Sequence, residues 1–487
     1  MILRYTLHAT RFMSIDLKTL TIKKAHDALI HGEYSALELS EAYLSEIEKK
    51  NAGLNAYLEV FDDAREQAKE ADRLIKAGKA VMLTGIPIAL KDNILMKGKK
   101  VSASSKILQG YVAPYDSTAI SKLKAERVVV LGRTNMDEFA MGSSTETSYF
   151  GPTRNPYDTS RVPGGSSGGA AAAVGADLAL ASLGTDTAGS VRQPAAFCGV
   201  VGSKPTYGSI SRHGIIAMGS SLDIIGPITK TVEDSEILFD AIRGKDVLDS
   251  TSIELNTKRS TLNAERFVVG VPRNFLDAKG IDEDVLANFS ESVERLQKLG
   301  CRVQDITLPT VPHALAAYYV IMPAELSTNL SRFDGVKYGF HKDGESLLGD
   351  YVATRTEGFG MEARRRLLLG AYVLSSGYRD AYYRKAISVR AMIEKEFTQA
   401  FKSVDIIAIP TTPTPAFKIG EKTKDPLSMY MEDIFTVPAN IGAIPAVSIP
   451  SGFVERDGKR LPLGFQIMAG YGHDKLLFKL GKKFESK

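Results

Sequence analysis

The chain has 487 residues, 44% of them hydrophobic and 24% charged, which is the make-up of a globular protein with a large core and excludes a disordered or fibrous one. Its 61 basic and 57 acidic residues leave a net charge of +4, with no dense basic stripe of the kind that grips a nucleic-acid backbone, so any RNA is expected to be held by a partner. Cys198 and Cys301 form neither a disulfide framework nor a CxxC metal site, and no apolar run reaches 18 residues; a reducing compartment and no membrane span are expected.

Residues 1–15 carry Arg4 and Arg11 and no acid, and read as an N-terminal extension, a short organellar presequence or a sign that the true start is Met13. A single domain is expected over 16–487, in the cytoplasm or, alternatively, an organellar matrix. A first helix around Ile22, Ala25 and Leu29 should stop at Gly32, a favourable left-handed C-cap position. Ser35-Ala36-Leu37-Glu38 reads as a capping box opening a second helix whose inner face includes Leu39, Tyr43 and Ile47, and 64–77 forms a third. The apolar runs 86–90 and 128–131 predict buried strands, and Lys91 falls where the first ends. Open α/β sheets usually place their chemistry at such strand ends. The small, nearly uncharged stretch 170–183 predicts a helix buried on almost all sides. Polar 249–263 reads as a loop or boundary, and strands at 267–271, 404–409 and 446–449 alternate with helices such as 282–299. This alternation predicts one α/β architecture with a mixed sheet.

Three segments carry the chemistry: Ile86-Pro87-Ile88-Ala89-Leu90-Lys91, Pro163-Gly164-Gly165-Ser166-Ser167-Gly168-Gly169 and Thr185-Asp186-Thr187-Ala188-Gly189-Ser190-Val191-Arg192-Gln193-Pro194. A serine hydroxyl is a poor nucleophile until a base within hydrogen-bond reach takes its proton. A lysine can be that base if burial disfavours its ammonium form, and Lys91 follows an apolar run. Ser190 would attack, Ser166 would relay the proton, and the backbone N–H groups of Thr187, Ala188, Gly189 and Ser190 would bind the oxyanion. The plain alternatives are a glycine-serine loop or phosphate nest and a solvated surface lysine. Gly164-Gly165-Ser166-Ser167-Gly168 also fits G-x-S-x-G, but that elbow needs a strand before it, and Thr159-Ser160-Arg161-Val162-Pro163 is not one. None of the seven histidines sits in a catalytic-looking segment. Asp186 and Arg192 flank the nucleophile turn and are expected to brace it by a charged pair or backbone hydrogen bonds.

The block running from Pro163 through Gln193-Pro194-Ala195-Ala196-Phe197-Cys198-Gly199 to Lys204-Pro205-Thr206-Tyr207-Gly208 resembles the amidase signature family. That resemblance implies a large mixed sheet covered by helices on both faces. It also implies Ser190 as acyl-forming nucleophile, Ser166 as bridging serine in a cis peptide and Lys91 as base. Within the family the likeness runs nearly end to end to the glutaminase subunits of tRNA-dependent amidotransferases. It is carried by Asn135-Met136-Asp137-Glu138-Phe139-Ala140-Met141-Gly142, Asn329-Leu330-Ser331-Arg332-Phe333-Asp334-Gly335, Glu357-Gly358-Phe359-Gly360 and Leu374-Ser375-Ser376-Gly377-Tyr378. It implies L-glutamine as substrate, B and C subunits as partners, and ammonia passed to the partner subunit that mainly holds Glu-tRNA(Gln). ATP and Mg would be used by the partner subunit, with no cofactor and no metal in this chain. Arg366 would take the glutamine α-carboxylate, Asp433 the α-ammonium, and Tyr318 would line the pocket; a guanidinium grips a carboxylate bidentately. Against this, 364–366 also reads as the solvated face of a helix. Two positions depart from the subfamily pattern: Ala188 stands where a glycine is usual, and Ser203 where an apolar residue is. Ala188 fits only if its backbone lies in an ordinary region. A free-standing amidase for another carboxamide is the alternative function.

Overall fold

The computed structural model describes residues 15–255, 267–277 and 280–486; the expected N-terminal extension, apart from Ile15, and the start at Met13 lie outside them. The local signals near the start are realised as short-range hydrogen bonds. Helix Ile22–His31 ends at Gly32 in the left-handed region, and helix Ala36–Leu54 opens with both bonds of a Ser35/Glu38 capping box. Helix Ala64–Lys76 follows, with Ala64, Ala68 and Ala71 on its buried face.

Eleven strands form one mixed sheet: β1 (Tyr57–Val60), β2 (Pro87–Lys91), β3 (Val129–Thr134), β4 (Ala181–Asp186), β5 (Val201–Lys204), β6 (Ile224–Thr229), β7 (Val268–Pro272), β8 (Arg302–Ile306), β9 (Ile406–Pro410), β10 (Ala446–Arg456) and β11 (Lys459–Ala469). Their order across the sheet is β1-β3-β2-β4-β6-β5-β10-β11-β9-β7-β8. β2 runs parallel to both β3 and β4, and every residue of these three strands is buried, as expected for parallel strands covered on both faces. β5 joins the two halves of the sheet by pairing antiparallel with β6 on one side and β10 on the other. β10 and β11 form a hairpin whose two turn residues, Asp457 and Gly458, both have positive φ, the Asp-Gly signature of a tight primed turn. Helices Gly168–Gly175, Arg192–Phe197, Val232–Ile242, Glu283–Lys298 and Asp474–Glu485 pack against these strands. Asp282 caps the fourth of these, so the stretch expected at 282–299 is a helix one residue shorter at each end.

The expected helix over 170–183 is corrected. The helix is Gly168–Gly175, fully buried from Gly168 to Val174, and Ala181–Asp186 is strand β4. Asp177 turns the chain with φ 62°, after which β4 inserts between β2 and β6. The helix propensity of small residues is a weak preference that two ready strand partners override. Of the polar stretch 249–263, the described part up to Leu255 is a turn and loop in which Asp249 receives two guanidinium N–H groups of Arg212.

Candidate active site

Lys91 is the last residue of β2, and the strand's apolar neighbours leave its amine fully buried. Its Nζ lies 2.7 Å from Ser166 Oγ and 3.2 Å from the carbonyl oxygen of Thr185. Burial drives the Lys91 pKa down from the usual lysine value to about 7, although the carboxylates of Asp137, Asp186 and Asp223 pull it the other way. A neutral amine is therefore available near neutral pH, in hydrogen-bond contact with a serine.

Ser166 follows a cis Gly165–Ser166 peptide bond. The loop is pinned from both sides: Gly165 N–H donates to Gln193 Oε1 at 2.8 Å, Thr145 Oγ1 to the Gly164 carbonyl at 2.8 Å, and Asp137 N–H to the Ser166 carbonyl at 3.2 Å. The next residue, Ser167, donates its N–H to the carbonyl of Ser190 at 3.1 Å, which brings the two serine segments together.

The expected nucleophile turn, Thr187–Ser190, begins where β4 ends. None of the backbone N–H groups of Thr187, Ala188, Gly189 and Ser190 donates to a protein acceptor among the described residues, so four donors of a kind normally paired when buried remain for a substrate oxygen. Ala188 keeps a negative φ, so its methyl group causes no backbone strain. Gly189 has φ 145°, and a Cβ there would lie 2.2 Å from Thr436 Oγ1. A Gly189→Ala enzyme is expected to lose about tenfold or more in kcat with little change in KM, because it shifts oxyanion donors rather than substrate contacts. Steady-state kinetics check this; a raised KM at constant kcat would contradict it.

Two buried acids set the turn. Asp186 and Arg192, neither with any exposure, form a bidentate pair at 3.0 Å for each contact. The remaining Arg192 contacts go to the Thr436 carbonyl at 2.9 Å, Gln466 Oε1 at 2.6 Å and Asn440 Oδ1 at 2.5 Å. Asp223 receives Thr187 Oγ1–H at 2.6 Å and the N–H groups of Met218 and Gly219, while burial raises its pKa to about 6. The departure at Ser203 is accommodated by a 2.5 Å contact between its hydroxyl and that of Ser235.

The expected substrate-binding residues come from three elements of the second half of the chain. Arg366 lies on helix Met361–Leu374, and among Arg364, Arg365 and Arg366 it alone is buried, which removes the solvated-face reading for that residue. Its guanidinium lies beside the stacked rings of Tyr319 and Tyr430, 5.3 and 5.2 Å from their centroids, and its Nε donates to Glu362 Oε1 at 2.7 Å. Tyr319 connects Arg366 to Asp433, since its hydroxyl donates to Asp433 Oδ2 at 3.3 Å. Asp433 also receives Ser143 Oγ–H at 3.1 Å, and burial raises its pKa to about 7 against the pull of that bond and of Arg366. Tyr318, fully buried, packs edge-on against Tyr319. Thr436, the residue that abuts Gly189, donates its N–H to the Asp433 carbonyl, so the acid lies one turn from the oxyanion loop. Arg366, Glu362 and Tyr430 line a cavity of about 270 Å³ together with Glu138, Glu146 and Lys422. Among the described residues no group of three or more His, Cys, Asp or Glu side chains is placed to hold a metal ion.

Gln193, Asp223, Tyr319, Glu362 and Ser143 do not stand out in the sequence as site residues. Only Gln193 carries a signal there, since it lies inside the block on which the family resemblance rests.

The family model for amidases matches residues 38–478, and the chain belongs to that family, as an amidase-signature enzyme. Among named relatives it is 47% identical over 479 residues to the A subunit of glutamyl-tRNA(Gln) amidotransferase from Ruminiclostridium cellulolyticum, covering 97% of this chain and 98% of the relative. It is 48% identical over 478 residues to the protein of the same name from Thermoanaerobacter pseudethanolicus, covering 97% of each. The crystal structure of the corresponding A subunit from Thermotoga maritima superposes with a TM-score of 0.79 at 39% identity, over 97% of this chain and 96% of that one. The native peptide amidase of Stenotrophomonas maltophilia gives a TM-score of 0.80 at 28% identity, over 96% and 97%.

Proposed function

We propose that this chain is the glutaminase subunit of a glutamyl-tRNA(Gln) amidotransferase, a single domain over 16–487 working with B and C subunits. The observation that carries the reading is the fully buried Lys91 amine in contact with Ser166, beside a turn of free backbone donors that begins the Ser190 segment. Neutral Lys91 takes a proton from Ser166 as Ser166 takes the proton of Ser190, and Ser190 Oγ attacks the side-chain amide carbon of glutamine. The oxyanion is held by the Thr187–Ser190 amides. The C–N bond then breaks, the proton returns along the same relay to the departing ammonia, and a γ-glutamyl ester remains on Ser190. Water hydrolyses that ester to glutamate and free Ser190.

Arg366 and Asp433 supply opposite charges for the α-carboxylate and α-ammonium of glutamine, with Tyr318 behind them. A simple apolar amide would have no use for this pair, and this favours glutamine over other carboxamides. Ammonia passes to the partner that holds Glu-tRNA(Gln), where ATP and Mg are used, in the cytoplasm.

The test is ammonia release from glutamine by the purified chain alone and with B and C subunits, ATP and Glu-tRNA(Gln), beside a Ser190→Ala control. Strong stimulation by the partners, abolished in the control, is expected. Unstimulated turnover of simple amides with indifference to glutamine would mean a free-standing amidase.

A further inference from the structure

Two consecutive acids, Asp137 and Glu138, face the two halves of the site. Asp137 gives its N–H to the Ser166 carbonyl, and its carboxylate gathers the loop that follows, accepting Thr145 N–H at 2.8 Å and Thr147 Oγ1–H at 2.9 Å. Glu138 points the other way. Its carboxylate, almost fully buried, receives the N–H of Gly360 at 2.9 and 3.1 Å and the hydroxyl of Ser105 at 2.5 Å. Gly360 is the N-cap of helix Met361–Leu374 and has no side chain with which to cap it. A Cβ at Gly360 would lie 2.4 Å from Glu138 Oε2, so the carboxylate occupies the space a capping side chain would fill. A second link runs alongside, since Phe139 packs against Phe359 with ring centroids 5.6 Å apart.

The helix so capped is the one that carries Glu362 and Arg366. A carboxylate at a helix N-terminus is favoured by the aligned peptide dipoles, and a charge-assisted bond from a backbone N–H is stronger and better directed than a neutral one. Burial draws the Glu138 pKa up to about 7, with Ser105, Gly360 and Arg364 opposing that rise. The acid therefore sits at a desolvation cost in the one place where it joins the Ser166 segment to the Arg366 helix.

We propose that Glu138 is a positioning residue that sets the distance between the nucleophile side of the site and Arg366, and so governs how well the enzyme uses a substrate bearing an α-carboxylate. This rests on the glutaminase reading above. It separates Glu138 from a merely structural acid, whose loss would affect all amide substrates alike.

The experiment compares glutamine with 4-aminobutanamide, which is glutamine without its α-carboxylate, in the assembled complex carrying wild-type chain, Glu138→Ala or Glu138→Gln. In Glu138→Ala the KM for glutamine is expected to rise about tenfold with kcat changed less than threefold, the usual size of effect for a lost charged hydrogen bond. The ratio of kcat/KM for glutamine to that for 4-aminobutanamide should fall at least fivefold. Glu138→Gln, which keeps an acceptor for Gly360 N–H, should recover most of the ratio. Thermal midpoints identify any variant that fails to fold, in which case Glu138→Gln alone decides by a measurable fall in the same ratio. An equal loss on both amides, or an unchanged ratio in both variants, overturns the proposal. A wild-type complex indifferent to glutamine would overturn the glutaminase reading along with it, whereas a normal wild type with unaltered variants removes only the role of Glu138.

Discussion

A Lys91→Met enzyme is expected to lose about 10³-fold in kcat for glutamine hydrolysis, within the range contributed by a positioned general base, while its thermal midpoint stays level or rises. Methionine fills similar space in an apolar strand end, so the change removes the amine and little else. The two halves of this expectation have one cause. Among the described residues no carboxylate is in hydrogen-bond contact with the buried Lys91 amine, so its charge is disfavoured and its pKa falls from 10.5 to about 7. Wild-type kcat/KM should therefore climb with pH through about 7 as the amine loses its proton. For stability, the unfolded chain binds the extra proton between about pH 7 and 10.5, so this lysine makes the fold more stable as pH rises through that window. Lys204 is likewise fully buried and drawn down to about 7, so the contribution of Lys91 is read as the difference between wild type and variant. Single-turnover kinetics and calorimetry from pH 6 to about 9 test both halves. A variant that retains turnover, or one that shows the wild-type pH rise in rate, would remove Lys91 as the base.

The second large effect is on folding. Asp186→Ala should cost roughly 3 kcal/mol or more, the usual result of leaving one member of a buried ion pair without its counter-charge. Arg192 would keep its contacts to Thr436, Gln466 and Asn440, all neutral, but would lose the only anion within hydrogen-bond contact of its guanidinium among the described residues. The same carboxylate also receives Val191 N–H and Asn440 Nδ2–H, so the residue after the nucleophile is freed as well. The expected signs are a lowered urea midpoint and a lowered kcat. A variant with wild-type stability and rate would show that the pair braces nothing.

What could be read from the chain divides by the range of the interaction. The Ser35/Glu38 capping box and the stop at Gly32 are decided within a few residues, and each has a chemical signature. Lys91 could be placed because the apolar run of β2 ends at it. The identity of β4 could not, because Ala181, Ser182 and Leu183 read equally well as buried helix until β2 and β6 are known to flank them. The site shows the same division. The triad segments stand out through glycine-rich motifs and a family resemblance, whereas Asp223 holds Thr187 across 36 residues of sequence and Glu138 reaches Gly360 across 222. Nothing in the neighbourhood of Asp223 distinguishes it from a surface carboxylate, and the segment around Glu138, although it carries part of the family likeness, does not disclose the contact with Gly360. The correct reading of Arg366 against its neighbours Arg364 and Arg365 also depends on which helix face turns inward, and three consecutive arginines do not disclose that.

The antiparallel pairing of β5 with β10 is more than a join in a sheet. Every strand on the β5 side comes from before residue 230, together with Lys91, Ser166 and Ser190; every strand on the β10 side comes from after residue 267, together with Tyr318, Arg366 and Asp433. The residues proposed to break the bond and those proposed to choose the substrate thus lie in separate stretches of the sequence, and the β5–β10 ladder is one of the places where the two stretches meet. A change in the second stretch reaches the first where side chains cross between them, as Thr436 does against Gly189 and Asp433 does to Ser143. Proteins as differently named as a peptide amidase and a 6-aminohexanoate cyclic dimer hydrolase share this fold.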